Sequence, residues 1–77
     1  MTVTAFILLT VEMASQREIL NTIRALDEVS EAHLIFGAFD IIVKAEFGNN
    51  EELSVFVVDK IKSIPGVGDT QTNIAAV

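Results

Sequence analysis

VSEAHLIFGAFDIIVKAE, Val29 to Glu46, is the stretch that decides the fold. It divides at Gly37-Ala38 into two apolar-rich runs, residues 29–36 and 39–46, each of strand length. A two-residue connection containing a glycine that can take φ > 0 is the common geometry of a tight hairpin. Such a turn sets Phe36 opposite Phe39, and because strand side chains alternate, it assigns every other position to a face. Counting by twos, Ala32, Leu34, Phe36, Phe39, Ile41, Val43 and Ala45 share one wholly apolar face, expected under helices. Glu31, His33, Ile35, Asp40, Ile42, Lys44 and Glu46 share the other, with Glu31 opposed to Lys44 as a cross-strand ion pair.

The flanking segments complete the pattern. Residues 3–12 read as a strand, with Val3, Ala5, Ile7, Leu9 and Val11 on the core face and Thr4, Phe6, Leu8 and Thr10 on the other. Ser15-Gln16-Arg17-Glu18 fits a capping box, followed by the helical stripe Ile19, Leu20, Ile23 and Leu26. Asn49 with Glu52 signals a second helix start, and Leu53, Phe56, Val57, Ile61 and Ile64 form its apolar stripe. Lys60 and Lys62 suit its last turn, and Pro65-Gly66 ends it. A closing strand spans residues 67–76. Thr70, Thr72, Ile74 and Ala76 share one of its faces and Asp69, Gln71, Asn73 and Ala75 the other, and neither set is apolar enough to choose between them.

The order βαββαβ predicts an α+β, ferredoxin-like sandwich, a four-stranded antiparallel sheet with two helices on one face. At 77 residues the chain makes one domain, too small to gain much stability from its own core. With no cysteine it has neither disulfides nor a thiolate metal site. Yet 51% of its residues are hydrophobic and the mean hydropathy is +0.51, more apolar character than so small a monomer hides easily. Phe6, Leu8, Ile35 and Ile42, with His33, fall on the face that no helix of this chain covers. Large uncovered apolar patches mark interfaces. Two copies are therefore expected to pack these sheet faces together, forming a dimeric α+β barrel.

Several function classes are excluded by residue inventory. A net charge of −6, with five basic residues scattered along the chain, does not make a nucleic-acid surface. The apolar run at residues 5–9 is far too short to span a bilayer and has no basic lead-in, so a cytoplasmic, membrane-free protein is expected. His33 is the only histidine and has no cysteine to join it, so neither a metal site nor a catalytic residue is assigned, and no cofactor. Asp40, at the head of a hydrophobic strand, needs solvent or a cation. It can receive an ammonium group, while the amides around Gly37 can meet a carboxylate. The hydroxyls of Thr70 and Thr72 can complete a polar shell. Each of these residues also has a plain structural role, in the turn or in a strand.

These markers, the Gly-x-aromatic-Asp turn of Gly37, Phe39 and Asp40, the helix stop Ile64-Pro65-Gly66-Val67 and the Thr70-x-Thr72 pair, resemble the effector-binding C-terminal (RAM) domain of Lrp/AsnC-family regulators along essentially the whole chain. Phe39 stands where tyrosine is common in that family. The resemblance implies residues 1–77 as a single ligand-binding and oligomerisation domain without the helix-turn-helix DNA-binding domain of full-length relatives. It implies a free amino acid as effector, bound between dimers of an octameric or decameric ring by Gly37, Ala38, Phe39, Asp40, Thr70 and Thr72. Regulation would run through co-assembly with full-length Lrp/AsnC-type proteins rather than through catalysis. Two other classes stay open from sequence: a small dimeric ferredoxin-like enzyme of the monooxygenase or isomerase type, and a ligand-free assembly domain. The enzyme class wants a convergent set of His, Asp, Tyr, Trp or Arg, and the chain has no Tyr or Trp.

Overall fold

Strands β1 (Val3–Val11), β2 (Val29–Leu34), β3 (Ile41–Phe47) and β4 (Val67–Ile74) alternate with helices α1 (Gln16–Arg24) and α2 (Asn50–Phe56) in the expected order, in a computed structural model that describes residues 2–76. The sheet runs β2-β3-β1-β4, with every neighbouring pair antiparallel. Hairpin parity holds: Leu34 pairs with Ile41, His33 with Ile42, Ala32 with Val43 and Glu31 with Lys44. Ala5, Ile7, Leu9, Ala32, Ile41, Val43 and Ala45 line the helix side and are buried there against Ile19, Leu20, Ile23, Leu53, Phe56, Val57 and Ile61. The rings of Phe47 and Phe56 meet at 5.0 Å, tilted by 56°.

The helix starts differ. Asn49 accepts from the Glu52 amide at 2.8 Å, and Glu52 Oε2 accepts from the Gly48 amide at 2.8 Å, so α2 has a reciprocal cap. Ser15 makes no side-chain cap, contrary to the capping box expected there. A 3₁₀ turn, Met13–Ser15, runs straight into α1, so the Gln16 amide donates to the Met13 carbonyl and the Ser15 amide to Glu12. Beyond Phe56 the helix continues through a π turn, Val57–Ile61, closed by the Lys62 amide on the Val57 carbonyl at 2.9 Å. The wider turn lets Val57 and Ile61 both stay buried beside Leu53 and Phe56.

The hairpin arms are shorter than the apolar pattern implies. Residues 35–40 form a loop held by one backbone bond, Ile35 N–H to the Asp40 carbonyl at 2.9 Å. This corrects three core assignments: Phe36 is fully exposed, Leu34 is exposed and Phe39 is only half-buried. Alternation places them on the helix side, but the buried layer stops at Ile41, and the tip projects past it. A second correction concerns Glu31, whose carboxylate lies 3.3 Å from His33 Nε2, with no ion pair to Lys44 among the described residues.

Gly66 has φ +94°, and its carbonyl accepts from the Glu12 amide at 2.9 Å, tying the end of the second helix to the end of β1. A Cβ there would stand 3.1 Å from Ile19 Cδ1. Gly66→Ala is therefore expected to destabilise the domain by about 1–2 kcal/mol or more, read as a lower melting temperature.

Candidate functional site

Asp40 is the anchor of the hairpin tip. Its amide donates to the Leu9 carbonyl at 2.8 Å, and its Oδ2 accepts from the Val11 amide at 2.9 Å. The carboxylate thus satisfies a β1 amide at the sheet end, and Oδ1 has no partner among the described residues. This is the structural role considered from sequence, and it leaves one oxygen for something else. Gly37 has φ +140°, and an added Cβ would meet nothing within 4 Å. The amides of Phe36, Gly37, Ala38 and Phe39 make no hydrogen bond among the described residues. One loop therefore offers a carboxylate oxygen and a short run of free N–H donors, which are complementary to the two charges of a zwitterion.

Behind the tip lies the sheet face that no helix covers. Its central row is His33, Ile42, Leu8 and Gln71, and Phe6 stands beside it, across from Lys44. Phe6 is 36% exposed, while Leu8, Ile35 and Ile42 are half-buried. The residues expected at a dimer interface, Phe6, Leu8, His33, Ile35 and Ile42, thus belong to one side of the molecule, rimmed by Glu31 and Lys44. Thr10, on the same side, accepts from the Asp69 amide at 2.8 Å, and a Cβ on Gly68 would sit 2.7 Å from its hydroxyl. This close approach, absent from the sequence reading, fixes the first residues of β4 against β1.

Thr70 and Thr72 are placed elsewhere. They pair with Leu9 and Ile7, whose side chains are buried on the helix side, so both threonines face α2 rather than the open sheet. Thr72 borders a groove of about 400 Å³ with Leu53, Val57, Val58 and Ile74. Within one chain the structure groups Gly37, Ala38, Phe39 and Asp40, and separates them from the two threonines by strand β1 and by the plane of the sheet.

A larger cleft, about 750 Å³, opens at the other end of the molecule and does not include the tip. Glu28, Phe47, Glu52, Phe56 and Lys60 line it. Lys60 Nζ donates to Glu28 Oε2 at 2.7 Å, and this bond holds the Glu28 carboxyl below its ordinary value of 4.5 against the opposing effect of burial. Because the folded-state value is depressed, the pair stabilises the fold well above pH 4.5 and loses that contribution as pH falls through the lowered value. Glu28→Gln is expected to flatten the acid limb of a stability–pH curve below pH 4.5 and to leave its neutral-pH shape unchanged. Among the described residues no group of three or more His, Asp or Glu side chains converges to hold a metal ion. No described helix is long and apolar enough to cross a membrane.

Comparison with known proteins follows the same lines. The family model described as the Lrp/AsnC ligand binding domain matches residues 4–76. The HTH-type transcriptional regulator PH1916 of Pyrococcus horikoshii is 39% identical over 77 residues, covering 96% of this chain and 51% of its own. Among solved structures, FFRP-DM1 superposes with a TM-score of 0.91 at 38% identity, covering 95% of this chain and 97% of its own. The transcriptional regulator NMB0573 of Neisseria meningitidis, solved as an L-Met complex, has a TM-score of 0.89 at 28% identity, covering 97% of this chain and 50% of its own. The chain spans about half the length of the curated relatives first matched, all of them transcriptional regulators. With its four-stranded ferredoxin-like sheet, its paired helices and a family match from residue 4 to 76, this chain belongs to the Lrp/AsnC ligand-binding domain family.

Proposed function

We propose that the chain is an amino-acid-binding effector and oligomerisation module, acting in transcriptional or metabolic regulation by co-assembling with DNA-binding relatives. The observation that carries this reading is the hairpin loop: an unpaired Asp40 Oδ1 and the free amides of residues 36–39 on the same loop match in kind an α-ammonium and an α-carboxylate. The family match and the L-Met complex of the Neisseria relative support the ligand class. Thr70 and Thr72 lie on the helix side of the sheet, so in this reading they meet a ligand at the tip from a neighbouring copy. On this reading the effector sits at a seam between subunits. Open faces bearing Phe6, Leu8, His33, Ile35 and Ile42 join pairs of chains, and further contacts build the larger ring. The setting for such a module is the cytoplasm.

A thermal-shift screen against the twenty amino acids tests the ligand. At a free concentration of ~100 Kd an effector stabilises the folded form by about 2.7 kcal/mol, which is a melting shift of roughly 10 °C or more for a domain of this size. No shift with any of the twenty at high concentration would leave only an assembly role.

A further inference from the structure

The last residues of β1 are gripped from both sides. Toward β3, the Leu9 carbonyl accepts from the Asp40 amide, and the Val11 amide donates to Asp40 Oδ2. Toward β4, Thr10 Oγ1 accepts from the Asp69 amide, and the Glu12 amide donates to the Gly66 carbonyl. Alternate residues of a central strand bond to opposite neighbours, so residues 9 and 11 serve the tip while 10 and 12 serve β4.

The β4 side is irregular here. Leu9 pairs with Thr70 and Val11 with Val67, so Thr10 alone stands opposite two residues, Gly68 and Asp69. That is a β-bulge, a feature over-represented beside functional sites, where it re-aims a side chain. A bulge leaves one residue out of the ladder. The Asp69 amide finds the Thr10 hydroxyl instead, at 2.8 Å. The fit is close, since a Cβ on Gly68 would lie 2.7 Å from the same oxygen. Thr10 is the peg that holds the bulge.

On the β3 side the consequence falls on Asp40. The β1–β3 ladder ends with Leu9 opposite Ile41, so the Val11 amide lies past the last strand pair and bonds to the carboxylate. With Oδ2 bound there, the direction of Oδ1 follows from where the Val11 amide sits. Val11 is the direct neighbour of the residue that holds the bulge.

We infer that Thr10 is a positioning residue for the tip site: its hydroxyl locks the β4 bulge, holds the Val11 amide against Asp40 Oδ2 and so aims Oδ1 at the ammonium of a ligand. The same bond fixes Asp69, and with it Thr70 beside it. One side chain of β1 thus stands between the two groups of site residues that this strand separates. The aiming of Oδ1 stands on the geometry of one chain, and its effect on affinity rests on the amino-acid-binding reading of the tip.

Amide hydrogen exchange followed by NMR tests it on Thr10→Val and Thr10→Ser. Valine keeps the branched shape and strand preference of threonine and lacks the acceptor. Asp69 is exposed, so its amide can turn to water and the fold should persist. Exchange at Val11 is read relative to Ile7 and Val43, which oppose each other in the middle of the β1–β3 ladder. On that scale Thr10→Val should exchange at Val11 about tenfold faster than wild type or more, by local opening, and Thr10→Ser at the wild-type rate. An effector found by the amino-acid screen should bind Thr10→Val about tenfold more weakly and Thr10→Ser as it binds wild type. Equal acceleration at all three amides, or none at Val11, overturns the inference. Serine behaving as valine overturns it too, because the hydroxyl would then not be what holds the bulge. Wild-type affinity beside accelerated exchange at Val11 would detach Thr10 from the ligand and end its positioning role. If wild type answers to no amino acid, the sensor reading falls and the exchange rates still decide the aiming of Oδ1.

Discussion

Leu8→Glu is expected to break the face-to-face pair and lower the assembled mass, with each chain still folded. Leu8 lies at the middle of the open sheet face, between Ile42 of β3 and Gln71 of β4, and nothing in its own chain covers it. In the free chain a glutamate there keeps its water, so the fold and its circular dichroism should persist. In a face-to-face pair the carboxylate would lose that water with no cation placed to compensate, and two copies would bring two such charges together. Burying an unpaired charge costs several kcal/mol, and about 3 kcal/mol already corresponds to more than a hundredfold weaker association. The measurement is mass by light scattering over a dilution series. An unchanged mass would show that the face is not where chains meet.

The second large effect divides the two roles of Asp40. Asp40→Ala removes the acceptor of the Val11 amide at a half-buried position. An unsatisfied donor of this kind costs about 1–3 kcal/mol, a drop of several degrees or more in the melting temperature of a domain this small. Asp40→Asn keeps an amide oxygen for Val11 and should stay within about 1 kcal/mol of wild type. It does not keep the negative charge. If Asp40 receives the ammonium of an amino acid, the asparagine variant should fold normally and show no melting shift with the effector that shifts wild type. A full ligand response from Asp40→Asn would reduce Asp40 to its bond with Val11.

How much of this was legible in the sequence follows from what alternation can and cannot encode. The Gly37-Ala38 turn carried the register: Leu34 opposite Ile41 and Glu31 opposite Lys44 are the pairs it dictates, and the open face came out correctly from them. Alternation names a side but not how far the other layer extends, which is why Phe36, Leu34 and Phe39 were expected in the core and lie beyond the helices. Ser15 has the right neighbours for a capping box, but the 3₁₀ turn before it already supplies the first bonds of the helix. Opposition in register was also weaker evidence than adjacency along a strand, since Glu31 reaches His33 two residues away rather than Lys44 across the ladder. Strand β4 is polar on both faces, so only its pairing with β1 could show that Thr70 and Thr72 look toward α2.

That last placement also explains why the candidate site could be named but not assembled from sequence. The residues come from two surfaces of the fold, and linear spacing cannot tell an intramolecular site from one completed by another copy. Phe36 is an apolar residue in an apolar run, distinguished only by standing past the end of the covered sheet.

The proposed function depends on chains meeting through the uncovered sheet face, and the solution mass of the wild-type protein at micromolar dilution tests that self-association most directly. A particle of two or more chains, each of 8.4 kDa, is the expected result. A stable, well-folded 8.4 kDa monomer at that dilution would contradict it.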